Sequence, residues 1–316
     1  MIKAKIFRSS KRTFECKIES SEEFVQATAL REVLKKDHPV VGDNIELRKT
    51  DGSDDYEIVQ VLPRDNEIFR RIVRTNSRKV IAANTDVILI VTSVSKPDYK
   101  PFLIDRYLVR AVQWDIPAAV VFNKMDQFED DFDLEFELEK FKSLGVKTFL
   151  ISSEFPNDKR FSKNLEELIN LLKDKTAICL GQSGVGKSKL ITALSEGKVE
   201  LLSSRLSKKV SKGAHTTTWS EIVDCENFLM VDSPGIRSLS MQDISAEELP
   251  ELFPDLMPLF GKCQFRDCHH EDNSKGCYFH NLDPEILEDK IMLNRIYSYL
   301  KLKDEIEAIP EWEKNS

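Results

Sequence analysis

The chain has no surplus of positive charge: 46 Lys and Arg stand against 54 Asp and Glu over 316 residues, a net of −8. That excludes a generally basic nucleic-acid-coating protein but leaves room for focused basic patches. Apolar runs of membrane length are missing as well; Val87-Ile88-Leu89-Ile90-Val91 is strand-sized, and no apolar segment opens the chain. A cytoplasmic protein without a membrane partner is expected. Cysteine is scarce, six in all, and Cys16, Cys179 and Cys225 are scattered in strand-like or turn contexts. They read as reduced core or surface residues, not as halves of disulfides. No internal repeat is present. The length suffices for two or three cores.

What the chain does have is phosphate-binding chemistry. Lys175-Thr176-Ala177-Ile178-Cys179-Leu180 reads as a short apolar strand, and Lys187 to Leu194 as a helix with Leu190, Ile191 and Leu194 on one side. Between them lies Gly181-Gln182-Ser183-Gly184-Val185-Gly186-Lys187-Ser188, the pattern G-x-x-x-x-G-K-[ST] in its proper strand–turn–helix setting. Its glycines let backbone N–H groups wrap a phosphate chain at a helix N-terminus. Lys187 is expected to reach the outer phosphates and act in catalysis, Ser188 to ligate Mg²⁺, and Lys189 to extend the nucleotide contacts.

A second element, Asn123-Lys124-Met125-Asp126, ends the buried-strand run Pro117-Ala118-Ala119-Val120-Val121-Phe122, where open α/β sheets bind ligands. The Asp126 carboxylate can accept hydrogen bonds from guanine N1–H and its exocyclic amine, whereas adenine would face it with an acceptor. Such a mismatch discriminates by about four orders of magnitude. Asn123 would brace the phosphate loop and the Lys124 stem would cover the base. Ser152 and Ser153, after the strand Thr148-Phe149-Leu150, are placed to supply backbone contacts to the base.

Asp232-Ser233-Pro234-Gly235 follows a third strand, Phe228-Leu229-Met230-Val231. Asp232 would hold Mg²⁺ through water, and the Gly235 N–H would sense the γ-phosphate. Many GTPases carry a water-orienting Gln just after this glycine; here the residue is Ile236, which cannot serve. The nearest substitute is His215 in Gly213-Ala214-His215-Thr216-Thr217-Thr218, a first-switch segment from which Thr217 would close onto Mg²⁺. The guanine-selecting element precedes the phosphate loop, the reverse of ordinary GTPases, so the domain is circularly permuted.

Cys263-x₄-Cys268-x-His270-x₆-Cys277 supplies three thiolates and an imidazole, the closed ligand set of one structural zinc ion. His269 and His280 compete with His270 for the fourth position. A catalytic or cargo-transferring metal is disfavoured, because four ligands leave no open position.

The permuted order, the Gly-x-His-Thr-Thr-Thr segment and the Cys/His cluster resemble the bacterial ribosome small-subunit-dependent GTPases, over nearly the whole chain. The sequence departs from that pattern at Ala214, where Arg is common, at Ser233, where Thr is common, and by one extra residue in the metal cluster. The family's Cys-x-His spacing favours His270. The resemblance implies an α/β fold: a circularly permuted P-loop GTPase domain, flanked by an N-terminal OB-like β-barrel and a C-terminal zinc-binding α-helical domain. Boundaries are expected at 1–70, 71–240 and 241–316. It also implies a GTP hydrolase that binds the small ribosomal subunit and its rRNA, assists late maturation, and turns GTP over to GDP and phosphate faster on the subunit. The competing reading is a nucleotide-gated rRNA-binding module with negligible intrinsic hydrolysis, which Ile236 favours. A monomer is expected.

Short alternating runs at Lys3–Phe7, Thr13–Glu19, Asp43–Leu47 and Tyr56–Leu62 suit a small barrel. Arg64, Arg70, Arg71, Arg74, Arg78 and Lys79 cluster at its end, and Arg205, Lys208, Lys209 and Lys212 in the first switch; both are candidate RNA contacts. Residues 129–139 read as the acidic start of an amphipathic helix ending near Gly145, and Pro284–Ile309 as one or two helices packed on the zinc segment.

Overall fold

The computed structural model describes residues 1–10, 12–50, 52, 55–72, 77–129, 132–195, 220–232, 241 and 243–308. The first five strands are β1 (Ile2–Ser9), β2 (Thr13–Ile18), β3 (Phe24–Ala29), β4 (Asn44–Lys49) and β5 (Tyr56–Val61), with helix α1 (Arg31–Lys36) after β3. They pair in the order β1-β2-β3-β5-β4, and β4 returns to β1, which closes a barrel. Alternation dictates the inside: Ala4, Ile6, Phe14, Cys16, Ile45, Leu47 and Ile58 are fully buried and form one core. β1 serves two neighbours. Residues Ile2–Lys5 pair with β4, a bulge falls between Ile6 and Arg8, and Arg8 and Ser9 then pair with a strand of the α/β core.

After the hairpin β6 (Glu67–Ile72) and β7 (Ser77–Ala83) comes the α/β core. Its strands are β8 (Val87–Ser93), β9 (Ala118–Asn123), β10 (Lys147–Leu150), β11 (Thr176–Leu180), β12 (Ser220–Asp224) and β13 (Leu229–Asp232). They lie in the order β10-β9-β8-β11-β13-β12, all parallel except β12, and β12 pairs with β1 to join the barrel in one sheet of 11 strands. β8 sits centrally and is buried on both faces along its whole length, as its unbroken apolar run requires. Ile88 and Ile90 face helices α2 (Pro101–Gln113) and α3 (Leu134–Ser143). Val87, Leu89 and Val91 face α4 (Ser162–Leu172) and α5 (Lys187–Leu194). From β8 the chain winds outward to β9 and β10, then returns to β11 on the other side. The strand order therefore reverses between β8 and β11, and the crevice beyond their carboxyl ends is where such sheets bind ligands.

The C-terminal portion holds a short helix α6 (Met257–Phe260) and one long helix α7 (Leu287–Glu307), packed around Phe253, Leu256, Tyr299 and Leu302 with Val109 of α2. Helix α3 starts later than the acidic run suggests. Asp133 caps it by accepting from the Phe136 N–H at 3.1 Å, and Phe132 before the cap packs into the core. Among the described residues no helix is long and apolar enough to cross a membrane.

Candidate functional site

Four of the loops that leave the carboxyl ends of the parallel strands carry the sequence elements. β9 ends on Asn123, whose side chain is fully buried. Its amide nitrogen donates to the Val185 carbonyl at 2.9 Å and to Ser153 Oγ at 3.0 Å, while its oxygen accepts from the Ser153 N–H at 3.0 Å. One side chain thus ties the ends of β9, β10 and β11 together. Lys124 follows in the left-handed region at φ 62°, unusual for a side chain of this size, and its Nζ donates to the Lys96 carbonyl at 2.5 Å. The next residues form the 3₁₀ turn Met125–Gln127, pinned by Met125 N–H to the Ile151 carbonyl. Asp126 is oriented from the neighbouring loop: Ser152 Oγ donates to its Oδ1 at 2.5 Å and accepts from the Phe155 N–H at 3.2 Å.

The phosphate loop folds over the end of β11. Gly184 and Gly186 take φ of 88° and 95°, which only glycine adopts at little cost. A Cβ on Gly186 would also fall 2.5 Å from Asn123 Nδ2. The Lys187 ammonium, first residue of α5, donates to the carbonyls of Gly181 and Gln182 at 2.7 and 2.9 Å. Val185 points inward, Ser183 and Gly184 are exposed, and Ser188 is half-buried. Lys189 leaves α5 to pair with Glu154, just beyond Ser153. Asp232 ends β13, next to β11 on the same sheet edge. Beneath the loop, burial pushes the Cys179 thiol up to about 12, so it is an uncharged packing group. His215, Thr217 and Gly235, with Ser233, Ile236 and the basic residues 205–212, lie outside the described residues.

The metal ligands converge as well. Sγ of Cys263, Cys268 and Cys277 and a ring nitrogen of His270 lie within 4.8 Å of one another. His270 Nδ1 stands 3.4 Å from Cys263 Sγ and 3.8 Å from Cys277 Sγ. Sulfur and nitrogen at tetrahedral zinc are about 3.5 Å apart, given bonds of about 2.3 and 2.0 Å, so these two separations suit ligands that share one zinc ion. Burial, then Lys303 and His269, hold His270 below the usual imidazole range, which keeps the ring neutral as a ligand must be. Phe260 stacks on it, with centroids 4.7 Å apart, and the Tyr278 N–H donates to Cys263 Sγ. His280 instead contacts the Glu271 carbonyl.

One part of the expected RNA surface is not available. Arg64 is spent on a two-pronged pair with the fully buried Asp43, at 2.7 and 2.8 Å, and on Glu67 at 2.8 Å. Arg71 pairs with Glu248, while Arg78 and Lys79 remain exposed on the hairpin. Arg74 lies outside the described residues. Sequence reasoning missed the Lys96-Pro97 loop, where Pro97 lies against Gly184. Its one signal was position, since it leaves β8 on the edge that bears every other loop of the site. Two buried ion pairs were also missed: Arg110 with Asp243, and Arg295 with Asp105, each at 2.5 Å.

A model of the RsgA GTPase family matches residues 61–242. The small ribosomal subunit biogenesis GTPase RsgA of Flavobacterium psychrophilum is 32% identical over 276 residues, covering 85% of this chain and 81% of its own. Its namesake in Chlorobaculum parvum is 35% identical over 276 residues, covering 84% of this chain and 85% of its own. The crystal structure of YjeQ from Thermotoga maritima superposes with a TM-score of 0.75 at 25% identity, over 98% of this chain and 99% of that one. The family match spans the loops after β9, β10 and β11, and the chain belongs to the RsgA GTPase family.

Proposed function

We propose that the chain binds GTP in the crevice beyond β8 and β11, hydrolyses it to GDP and phosphate, and uses that cycle to dock on and leave the small ribosomal subunit late in its maturation. The observation that carries the nucleotide reading is Asn123, whose one amide bonds both the base-side loop at Ser153 and the phosphate loop at Val185. Asp126, aimed by Ser152, reads the guanine edge, and Lys124 covers the ring. Ser153 and Lys189 line the base side. Backbone N–H groups of Gly181, Gln182, Ser183, Gly184, Val185 and Gly186 meet the phosphates, with Lys187 on the outer ones. Ser188, Thr217 and Asp232 hold Mg²⁺, which neutralises charge between the outer phosphates when bound. Gly235 senses the γ-phosphate and His215 orients the attacking water.

The names of the relatives support the subunit as partner, and the exposed Arg78 and Lys79 support rRNA contact beside the barrel. The Cys263, Cys268, His270 and Cys277 set holds one zinc ion, whose role is structural because all four positions are filled by protein. The chain acts as a cytoplasmic monomer divided near residues 70 and 240. Ile236 favours a second reading, in which intrinsic hydrolysis is negligible and nucleotide only gates rRNA binding.

GTP turnover by the full chain, with and without small subunits, separates the two. Subunits should accelerate it, and His215→Ala and Lys187→Ala should remove it. If neither subunits nor His215→Ala changes the rate, the hydrolytic role of His215 is wrong. Competition by ATP as strong as by GTP would remove the role of Asp126.

A further inference from the structure

Directly after the base-selecting turn, the chain forms a groove of about 560 Å³ that neither the nucleotide loops nor the metal ligands use. Phe128, Phe132, Leu134 and Leu138 provide its apolar lining, and Asp133, Glu135 and Glu139 its charged one; among the described residues no lysine or arginine lines it. The floor is anchored: Phe132 packs edge-on against Tyr99 at 4.8 Å and against Phe122 at 6.0 Å, the latter in the main core cluster and the former packed on it. Phe128 nevertheless stays 37% exposed. Asp133 and Glu139 reach lysines on their outer sides, Lys290 at 3.5 Å and Lys142 at 2.9 Å, whereas Glu135 has no ion-pair partner among the described residues.

We infer that this groove is a docking site for a Lys/Arg-rich segment of a separate protein, one that carries apolar side chains. Charge decides the class of occupant. RNA would bring phosphates against carboxylates, which repel them. A second copy of the chain meeting through the same patch would set acidic lining against acidic lining. A basic segment with leucine- or phenylalanine-sized side chains satisfies both halves of the surface: the apolar groups fill the floor and the ammonium or guanidinium groups meet the carboxylates. The site starts two residues beyond Asp126, so its occupant would sit beside the nucleotide crevice without entering it.

The test uses the full-length protein and a short fluorescent peptide of lysine and leucine. Controls are the same peptide with serine for leucine, the same peptide with glutamate for lysine, and a short single-stranded RNA. The lysine–leucine peptide should bind. Phe128→Ser alone, and Glu135→Lys with Glu139→Lys together, should each weaken it about tenfold or more while GDP binding stays unchanged. Equal binding of the serine peptide, or wild-type binding by both variants, overturns the proposal. So does RNA binding that Phe128→Ser weakens. Replacing Lys208 and Lys209 by glutamate provides the last arm. If peptide binding then rises, the groove's occupant is this chain's own basic segment and the proposal fails; unchanged binding supports an external partner.

Discussion

The Asn123 amide donates to the Val185 carbonyl at 2.9 Å, fastening the base-selecting turn to the phosphate loop through one buried side chain. Asn123→Ala would orphan that buried carbonyl, while the half-buried Ser153 N–H could turn to water. The buried orphan costs about 1–3 kcal/mol, so GDP affinity should fall by about ten- to a hundredfold in a fluorescent-nucleotide titration. An unchanged affinity would mean that the two loops do not bind one ligand.

Asp126 depends on Ser152 for its orientation. Ser152→Ala removes a charge-assisted hydrogen bond and leaves the Phe155 N–H without its acceptor. GDP should bind about tenfold more weakly, with the loss mainly in selectivity over ADP. Asp126→Asn should go further and favour xanthosine nucleotides, because the amide can donate where the carboxylate accepted.

Metal content should be one zinc per chain by mass spectrometry, lost in Cys277→Ser. Burial pushes the Cys277 thiol up to about 11, and the metal must displace that proton. Protons and zinc therefore compete, and affinity should fall as pH falls, by at least about tenfold per unit between pH 8 and 6 in a chelator titration. Burial holds His270 below the usual imidazole range, so protonation of this ligand sets in at lower pH than for a free imidazole.

Thiol chemistry separates the two kinds of cysteine. Burial pushes Cys16, Cys179 and Cys225 up to about 12, so their thiolate fraction near neutrality is negligible. With zinc bound, iodoacetamide should modify the native protein slowly. Chelation should release the half-buried Cys263 and Cys268 to rapid alkylation, with the buried Cys277 following more slowly, mapped by peptide mass spectrometry.

Arg110 and Asp243 pair at 2.5 Å, with side chains only 2% and 7% exposed, and join α2 to the chain that follows Asp232. Arg110→Ala strands a buried carboxylate and should cost about 3–5 kcal/mol in urea unfolding. Arg110→Met with Asp243→Leu should recover part of that, since the Arg71 N–H also donates to Asp243.

The loops that end β9 and β11 were legible as loops because their residues come in short, fixed order: glycines where the backbone turns left-handed, an amide and a carboxylate after an apolar strand. Four barrel strands were legible from alternation. β3 was not, since it buries only Ala27 and leaves Phe24 52% exposed. The start of α3 was misplaced because an acidic run and an N-cap look alike until Asp133 is seen to take the Phe136 N–H. Arg64 looked like an RNA contact because its partner Asp43 stands 21 residues away. Arg110 and Asp243 are 133 residues apart, and Arg295 and Asp105 190; no local pattern announces such pairs.

Glu221 of β12 lies opposite Arg8 of the barrel on one side and opposite Asp232 on the other, and its carboxylate also grips the Arg8 guanidinium at 3.0 Å. Only two strand spacings, about 10 Å, separate the barrel from the carboxylate that ends β13. The β1–β12 seam, Arg8 and Ser9 against Glu221 and Ser220, therefore ties the barrel to Asp232 by backbone pairing. On the function proposed above, that seam is a bonded path along which a load on the barrel would be passed to the nucleotide crevice.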